Sequence, residues 1–350
     1  MIERRLRQVF TEAGCEGSVA VLDIDSDHRV MFGDSEPMVA ASTFKIVVAL
    51  ELFCQAAEGS LDPAERVRLS PAQATPGGQG FCIFEDEAEV SLRDVARMML
   101  TISDNTATDL LIRRVSLPRI HARLGRLGLD RIRLAGTIQQ EFDAIGRDTG
   151  HTGWTEMTRA MNEAASPADA ERIWQRALAS PSLQPGRITS APAGQMAALL
   201  KLVWLDQAGP AAACRTVRTL LGQQRLTRKI ATGFGDGVRV AAKSGTLPGC
   251  ASNDAGVVEY PDGSRFAVAV FTRPAGPGGR ALPADSVIGA AARLAVEHLH
   301  RGRPPLPSPA SRTSHSSRSS SVYPSLPNGP RTWVRTSLPS ALTATEPPSA

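Results

Sequence analysis

The sequence predicts an α+β fold: one antiparallel sheet drawn from both ends of the chain, flanking helices, and an all-helical domain inserted at roughly residues 50–205. Three observations carry this expectation. Short alternating apolar runs cluster near the two ends. Hairpin-length polar turns join neighbouring runs. Between them, apolar residues recur at helical rather than strand spacing.

In order, residues 1–13 read as an amphipathic helix. Residues 17–25 alternate and read as a strand, with 29–33 as hairpin partner across a polar turn. A helix follows from Ser42 to about Glu58, and Gly59 is a glycine stop signal. The loop 76–80, Pro-Gly-Gly-Gln-Gly, lacks the lysine and spacing of a phosphate-binding loop and reads as turn chemistry. Ser91 caps a helix over 91–100, and a further helix covers 106–115. Residues 146–187 are polar and less regular, with one helical segment near 167–179, and 191–204 form another helix. Strands follow at 238–243, 255–260 and 264–271, the last two joined by the turn Pro261-Asp262-Gly263. A closing helix spans 285–300. Residues 1–302 thus form the folded body. The Ser/Pro/Arg-rich stretch 303–350 cannot bury enough apolar area to offset its ordering entropy and is expected to be disordered.

Net charge is +4, but the tail from Arg301 onward holds six arginines against one glutamate, which leaves −1 for the rest. A nucleic-acid-binding body is therefore not expected. The five cysteines, Cys15, Cys54, Cys82, Cys214 and Cys250, are widely spaced and odd in number, so neither a zinc site nor a disulfide framework is indicated. The scattered histidines suggest no metal constellation, and no cofactor is expected. The N-terminus lacks the apolar core of a signal peptide, and no stretch is long enough to cross a bilayer. The expectation is a monomer without membrane partners, cytoplasmic as written and secreted if the true start lies upstream.

The chemistry begins at Ser42-Thr43-Phe44-Lys45. A serine hydroxyl alone is a poor nucleophile. A lysine one helical turn on can take its proton, provided burial or a second cation keeps that lysine neutral. A lone S-x-x-K is more often a serine cap followed by a surface lysine. Here, however, Ser103-Asp104-Asn105 and Lys243-Ser244-Gly245-Thr246 follow in order.

Together these three motifs resemble the penicillin-recognising serine hydrolases, and most closely the class A β-lactamases. The similarity spans roughly residues 17–300, including the surroundings of Ser103 and the strand after Gly245. It implies a β-lactamase/transpeptidase-like fold and a set of roles. Ser42 is acylated, and Lys45 holds or passes its proton. Ser103 relays a proton to the departing nitrogen, because amide cleavage stalls unless the amine leaves protonated. Asn105 offers its amide to a substrate carbonyl, and Asp104 orders its loop through backbone bonds. Lys243 helps keep Lys45 neutral and attracts a substrate carboxylate, which Ser244 and Thr246 can hydrogen-bond. Gly245 leaves room for substrate along the strand edge. The N–H groups of Ser42 and Thr246 form the oxyanion hole.

One part departs from the pattern. The family's deacylating glutamate, counted along from Ser103, falls on Gln139, and Phe142-Asp143 stands where Leu-Asn is expected. Glutamine cannot act as a carboxylate base. Glu141 substitutes if the loop shifts, and Glu156 is a more distant candidate. The stretch 146–187 is longer than in the family and suits a lid. The resemblance implies a serine hydrolase acting on a β-lactam, peptide or ester, with β-lactamase the first expectation. The alternatives are a cytoplasmic esterase or peptidase of the same fold, or a β-lactam-binding sensor that acylates and releases slowly.

Overall fold

A computed structural model of the chain describes residues 1–226, 228–276 and 285–302. The elements run α1 (Ile2–Glu12), β1 (Cys15–Asp23), β2 (Arg29–Phe32), β3 (Met38–Val39), α2 (Lys45–Ala57), β4 (Arg66–Leu69) and β5 (Ala88–Ser91). Then come α3 (Leu92–Thr101), α4 (Asn105–Val115), α5 (Leu117–Arg126), α6 (Ile138–Asp148), α7 (Trp154–Asn162) and α8 (Pro167–Leu178). The chain continues through β6 (Ser190–Ala191), α9 (Ala193–Trp204), α10 (Ala211–Leu221), β7 (Arg239–Leu247), β8 (Ala251–Glu259), β9 (Arg265–Pro274) and α11 (Asp285–Arg301). Residues 303–350, expected to be disordered, lie outside the described residues.

The main sheet has the order β2-β1-β9-β8-β7, antiparallel throughout, so strands from both ends of the chain interleave. Its two faces differ in side-chain size. On β1 and β9, Val19, Val21, Phe266, Val268 and Val270 pack with Leu6, Phe10, Ile288 and Val296 of α1 and α11. The intervening Ala20, Ala267 and Ala269 point the other way, toward the core built by α2 and α9. The period-two alternation of a strand assigns the faces, and small residues on the second let those helices approach closely. Between the terminal strands the described residues are mostly helical, with two short two-stranded ladders, β3–β6 and β4–β5. β4 and β5 are each four residues long, and the charged pairs Arg66–Glu89 and Arg68–Glu87 span them. Such short polar strands carry little apolar alternation to read.

Three boundaries differ from expectation in ways that matter for the site. Ser42 does not open α2. It lies in a 3₁₀ turn over Ala41–Phe44, and the α-helix begins at Lys45. Residues i and i+3 eclipse in 3₁₀ geometry, so Ser42 and Lys45 still share one side. β7 runs on through Leu247, which puts Lys243 to Thr246 inside an edge strand. The region around Gln139 is helix, not loop. Thr137 caps α6 through Gln140 N, and the Gln140 side chain answers the Thr137 N–H. This reciprocal capping box is legible as Thr-x-x-Gln. Beyond α6, residues 146–187 fold as α7 and α8 over Ile145, Met157, Ala177 and Ile188, with Phe142 stacked on Trp154. No helix among the described residues is long and apolar enough to cross a membrane.

Candidate active site

Ser42 faces a cleft of about 290 Å³, bordered also by Ser103, Asn105, Glu141, Ser244 and Thr246. The turn that presents it is conformationally costly. Ala41, immediately before it, has φ of 45°, a left-handed value that non-glycine residues rarely adopt. Packing holds it there. Thr43 Oγ1 donates to Ala40 O at 2.7 Å, and Asn253 Nδ2 donates to Val39 O at 2.7 Å.

Lys45 is fully buried beneath the cleft. Its ammonium donates to Ser103 O at 2.7 Å, Ser103 Oγ at 3.2 Å and Asn105 Oδ1 at 2.8 Å. Burial drives its pKa down to about 7, against the opposing pull of Asp104 and Asp109. A lysine with that pKa is partly neutral at physiological pH and can accept a proton.

Ser103 also sits at a left-handed φ, 66°. Asp104 enforces it. Its Oδ1 accepts from Ala107 N at 3.0 Å and caps α4, while Oδ2 accepts from Phe81 N at 2.8 Å. The second bond requires Gly80, where a Cβ would stand 2.2 Å from Asp104 Oδ2. The glycine-rich loop expected to be simple turn chemistry thus supports Ser103, and Gly77, Gly78 and Gln79 border the cleft. Asn105 spans the two, its Nδ2 donating to Pro76 O at 2.8 Å.

Lys243 is completely buried and donates to Ser244 O at 2.7 Å. It does not border the cleft. Burial, then the neighbouring Lys45 charge, pushes its pKa well below the usual lysine value. Ser244 N–H reaches off the free sheet edge to Gln224 Oε1 at 2.9 Å. The N–H of Thr246, two residues along, points to the same edge by strand alternation. That edge abuts the Ser42 turn: a Cβ on Gly245 would lie 2.7 Å from Ser42 N. The Ser42 turn thus packs against the strand that carries Ser244 and Thr246.

The sequence reading passed over Lys229. Its buried ammonium donates to Gly245 O and Thr246 Oγ1, both at 2.8 Å, and to Asn253 O at 3.2 Å. It lies in no periodic segment and no motif, so nothing local marks it. Asp254, buried beside Lys229 and Lys243, accepts from Ile230 N at 2.9 Å, and burial raises its pKa to about 6.

The deacylation candidates separate. Gln139 N donates to Asp109 Oδ2 at 2.9 Å, and its side-chain amide turns to Asp143 Oδ1 at 3.0 Å, away from the cleft. Glu141 borders the cleft, and its Oε1 accepts from Thr189 N at 3.0 Å and from Thr189 Oγ1. Burial raises its pKa to about 7 despite those bonds. Glu156 sits on α7, where its carboxylate takes the Thr152 N–H at 2.6 Å, and it does not border the cleft.

A family model described as "Beta-lactamase enzyme family" matches residues 1–299. Among characterised proteins the chain is similar to the β-lactamase regulatory protein BlaB of Streptomyces cacaoi, 25% identical over 83% of this chain and 93% of that one. Among solved structures it resembles the β-lactamase of Sphaerobacter thermophilus, with a TM-score of 0.65 and 21% identity over 85% of this chain and 98% of that one. It also resembles a mutant of PBP-A solved as an acyl-enzyme complex with penicillin G, with a TM-score of 0.64 and 17% identity over 86% and 96% of the two chains. At these identities the structural likeness establishes the fold alone.

Proposed function

The chain belongs to the β-lactamase enzyme family, and from that premise we propose that it is a serine hydrolase that opens β-lactams or related amides and esters through an acyl-enzyme on Ser42. The observation that carries this reading is the triple hydrogen bond of buried Lys45 to Ser103 and Asn105, on the same turn as Ser42. Neutral Lys45 keeps two N–H donors, for Ser103 O and Asn105 Oδ1, and its lone pair takes the Ser42 proton as Oγ attacks the carbonyl carbon. The oxyanion collects the N–H groups of Ser42 and Thr246. Lys45, now charged, passes a proton through the Ser103 hydroxyl to the leaving nitrogen, and the C–N bond breaks. Lys229, bonded beneath Gly245 and Thr246, lends positive charge to the strand edge, where Ser244 and Thr246 present hydroxyls to a substrate carboxylate.

Release needs a water and a base. Glu141 is the group we assign, since it borders the cleft and Gln139 does not. The test is intact-mass spectrometry during nitrocefin turnover, on wild type and Ser42→Ala. A transient acyl adduct on wild type, absent from the variant, is expected. Equal labelling of the variant overturns the assignment.

A second reading has support in two observations. Both Glu141 bonds run to Thr189 through one oxygen, and one relative is named as a regulatory protein. A carboxylate so engaged activates water slowly, and the protein then serves as a sensor that stays acylated. A burst of about one equivalent followed by a slow steady rate favours this reading, and turnover without a burst excludes it.

A further inference from the structure

A second cleft, of about 320 Å³, opens between α2, α3 and α10 and shares no lining residue with the cleft at Ser42. Its size falls within the range of small-molecule sites. The floor is apolar: Phe53 of α2 with Ala213 and Leu220 of α10, all buried. The rim is cationic. Arg93 and Arg97 stand one turn apart on α3, both exposed.

Several arginines of the helical region are paired with carboxylates: Arg114 with Glu65, Arg123 with Glu51 and Glu58, Arg218 with Asp206. Among the described residues no carboxylate lies within ion-pair distance of Arg93 or Arg97. Arg93 Nε donates weakly to Pro63 O at 3.4 Å, and Arg97 Nη1 to Gln223 Oε1 at 2.9 Å. A guanidinium has five N–H donors, so most of each fork is unused. Like charges at i and i+4 repel on a bare helix, and an anion between them reverses that cost. The first turn of α10 borders the same cleft, has no side-chain cap and holds no acidic residue, which adds partial positive charge.

We propose that this cleft binds a small monocarboxylate with an apolar body. The carboxylate bridges the forks of Arg93 and Arg97, and the hydrocarbon lies on Phe53 and Leu220. The proposal is independent of the chemistry assigned to Ser42.

The test is calorimetric titration of the full chain with octanoate, and with octanamide as the neutral isostere. One octanoate site is expected, with octanamide at least ten-fold weaker. The double substitution Arg93→Gln/Arg97→Gln should weaken octanoate at least ten-fold. Thr216→Trp, which fills the cleft from α10, should abolish binding, with retained melting temperatures showing that both variants fold. Ser42→Ala should bind octanoate as wild type does, which separates this result from failure at Ser42. No binding at millimolar octanoate overturns the proposal. So does an affinity indifferent to the arginines or to Thr216→Trp, or loss of octanoate binding by protein acylated at Ser42 and freed of excess β-lactam, which would put octanoate in the Ser42 cleft.

Discussion

Gln139 and Glu141 stand two residues apart in the first turn of α6, and the helix sends them to different sides. At about 100° per residue, two steps turn a side chain roughly 200° around the axis. Gln139 therefore reaches Asp143, one turn on along its own face, while Glu141 faces the cleft and Thr189. Glu141→Gln should prolong the acyl-enzyme on Ser42 by ~10²-fold or more, the usual cost of losing a general base. Gln139→Ala should leave its lifetime within about two-fold. Intact-mass time courses read both, and the reverse pattern would take the base away from Glu141.

The pH dependence follows from two groups poised at about 7. Lys45 must be neutral and Glu141 ionised to accept protons, and both conditions hold above that pH. Acylation and release should each rise about ten-fold between pH 6 and 8, as a single titration near 7 requires. Stopped-flow measurement with nitrocefin checks this. A flat profile would mean that neither group titrates in the rate-limiting steps.

Stability should run the other way at Glu141. An unfolded glutamate loses its proton near pH 4.3, but the folded protein keeps it to about 7. Between those values the folded state binds more protons, so this group's contribution to stability falls as pH rises. Glu141→Gln removes that penalty while its amide oxygen can still accept from Thr189. The variant should melt a few degrees above wild type at pH 8, for about 1–2 kcal/mol, and no higher at pH 4.5. A melting point below wild type at pH 8 would contradict the burial cost assigned to this carboxylate.

Gly80→Ala should damage the site from a distance. Its φ of 87° disfavours any side chain, and the added methyl meets the Asp104 carboxylate that orders Ser103. A loss of about 1–3 kcal/mol is expected, with slower acylation at temperatures where the variant is still folded. Chemical denaturation and burst kinetics separate the two effects.

Lys229→Ala removes three hydrogen bonds beneath Gly245 and Thr246. For a substrate bearing a carboxylate, KM should rise about ten-fold, the order of one charge-assisted bond. For a neutral ester it should change little. An equal effect on both substrates would give Lys229 a purely structural part.

The sheet drawn from both ends, the helical insertion and the three motifs were legible because each rests on short-range pattern: alternation, turn residues, caps and fixed spacings. Ser91 as a cap and the hairpin at Pro261-Asp262-Gly263 are of this kind. The capping box at Thr137 and Gln140 was equally local, and spacing counted along an assumed loop passed over it. What only the tertiary structure decided depends on groups far apart in the chain. Lys45 meets Ser103 across 58 residues, and Lys229 meets Thr246 without any motif. The near-neutral pKa of Lys45 and the orientation of Glu141 come from burial and helix phase, which packing sets. A residue's type and spacing state which protons it can carry; its desolvation and its neighbours determine the pH at which it carries them.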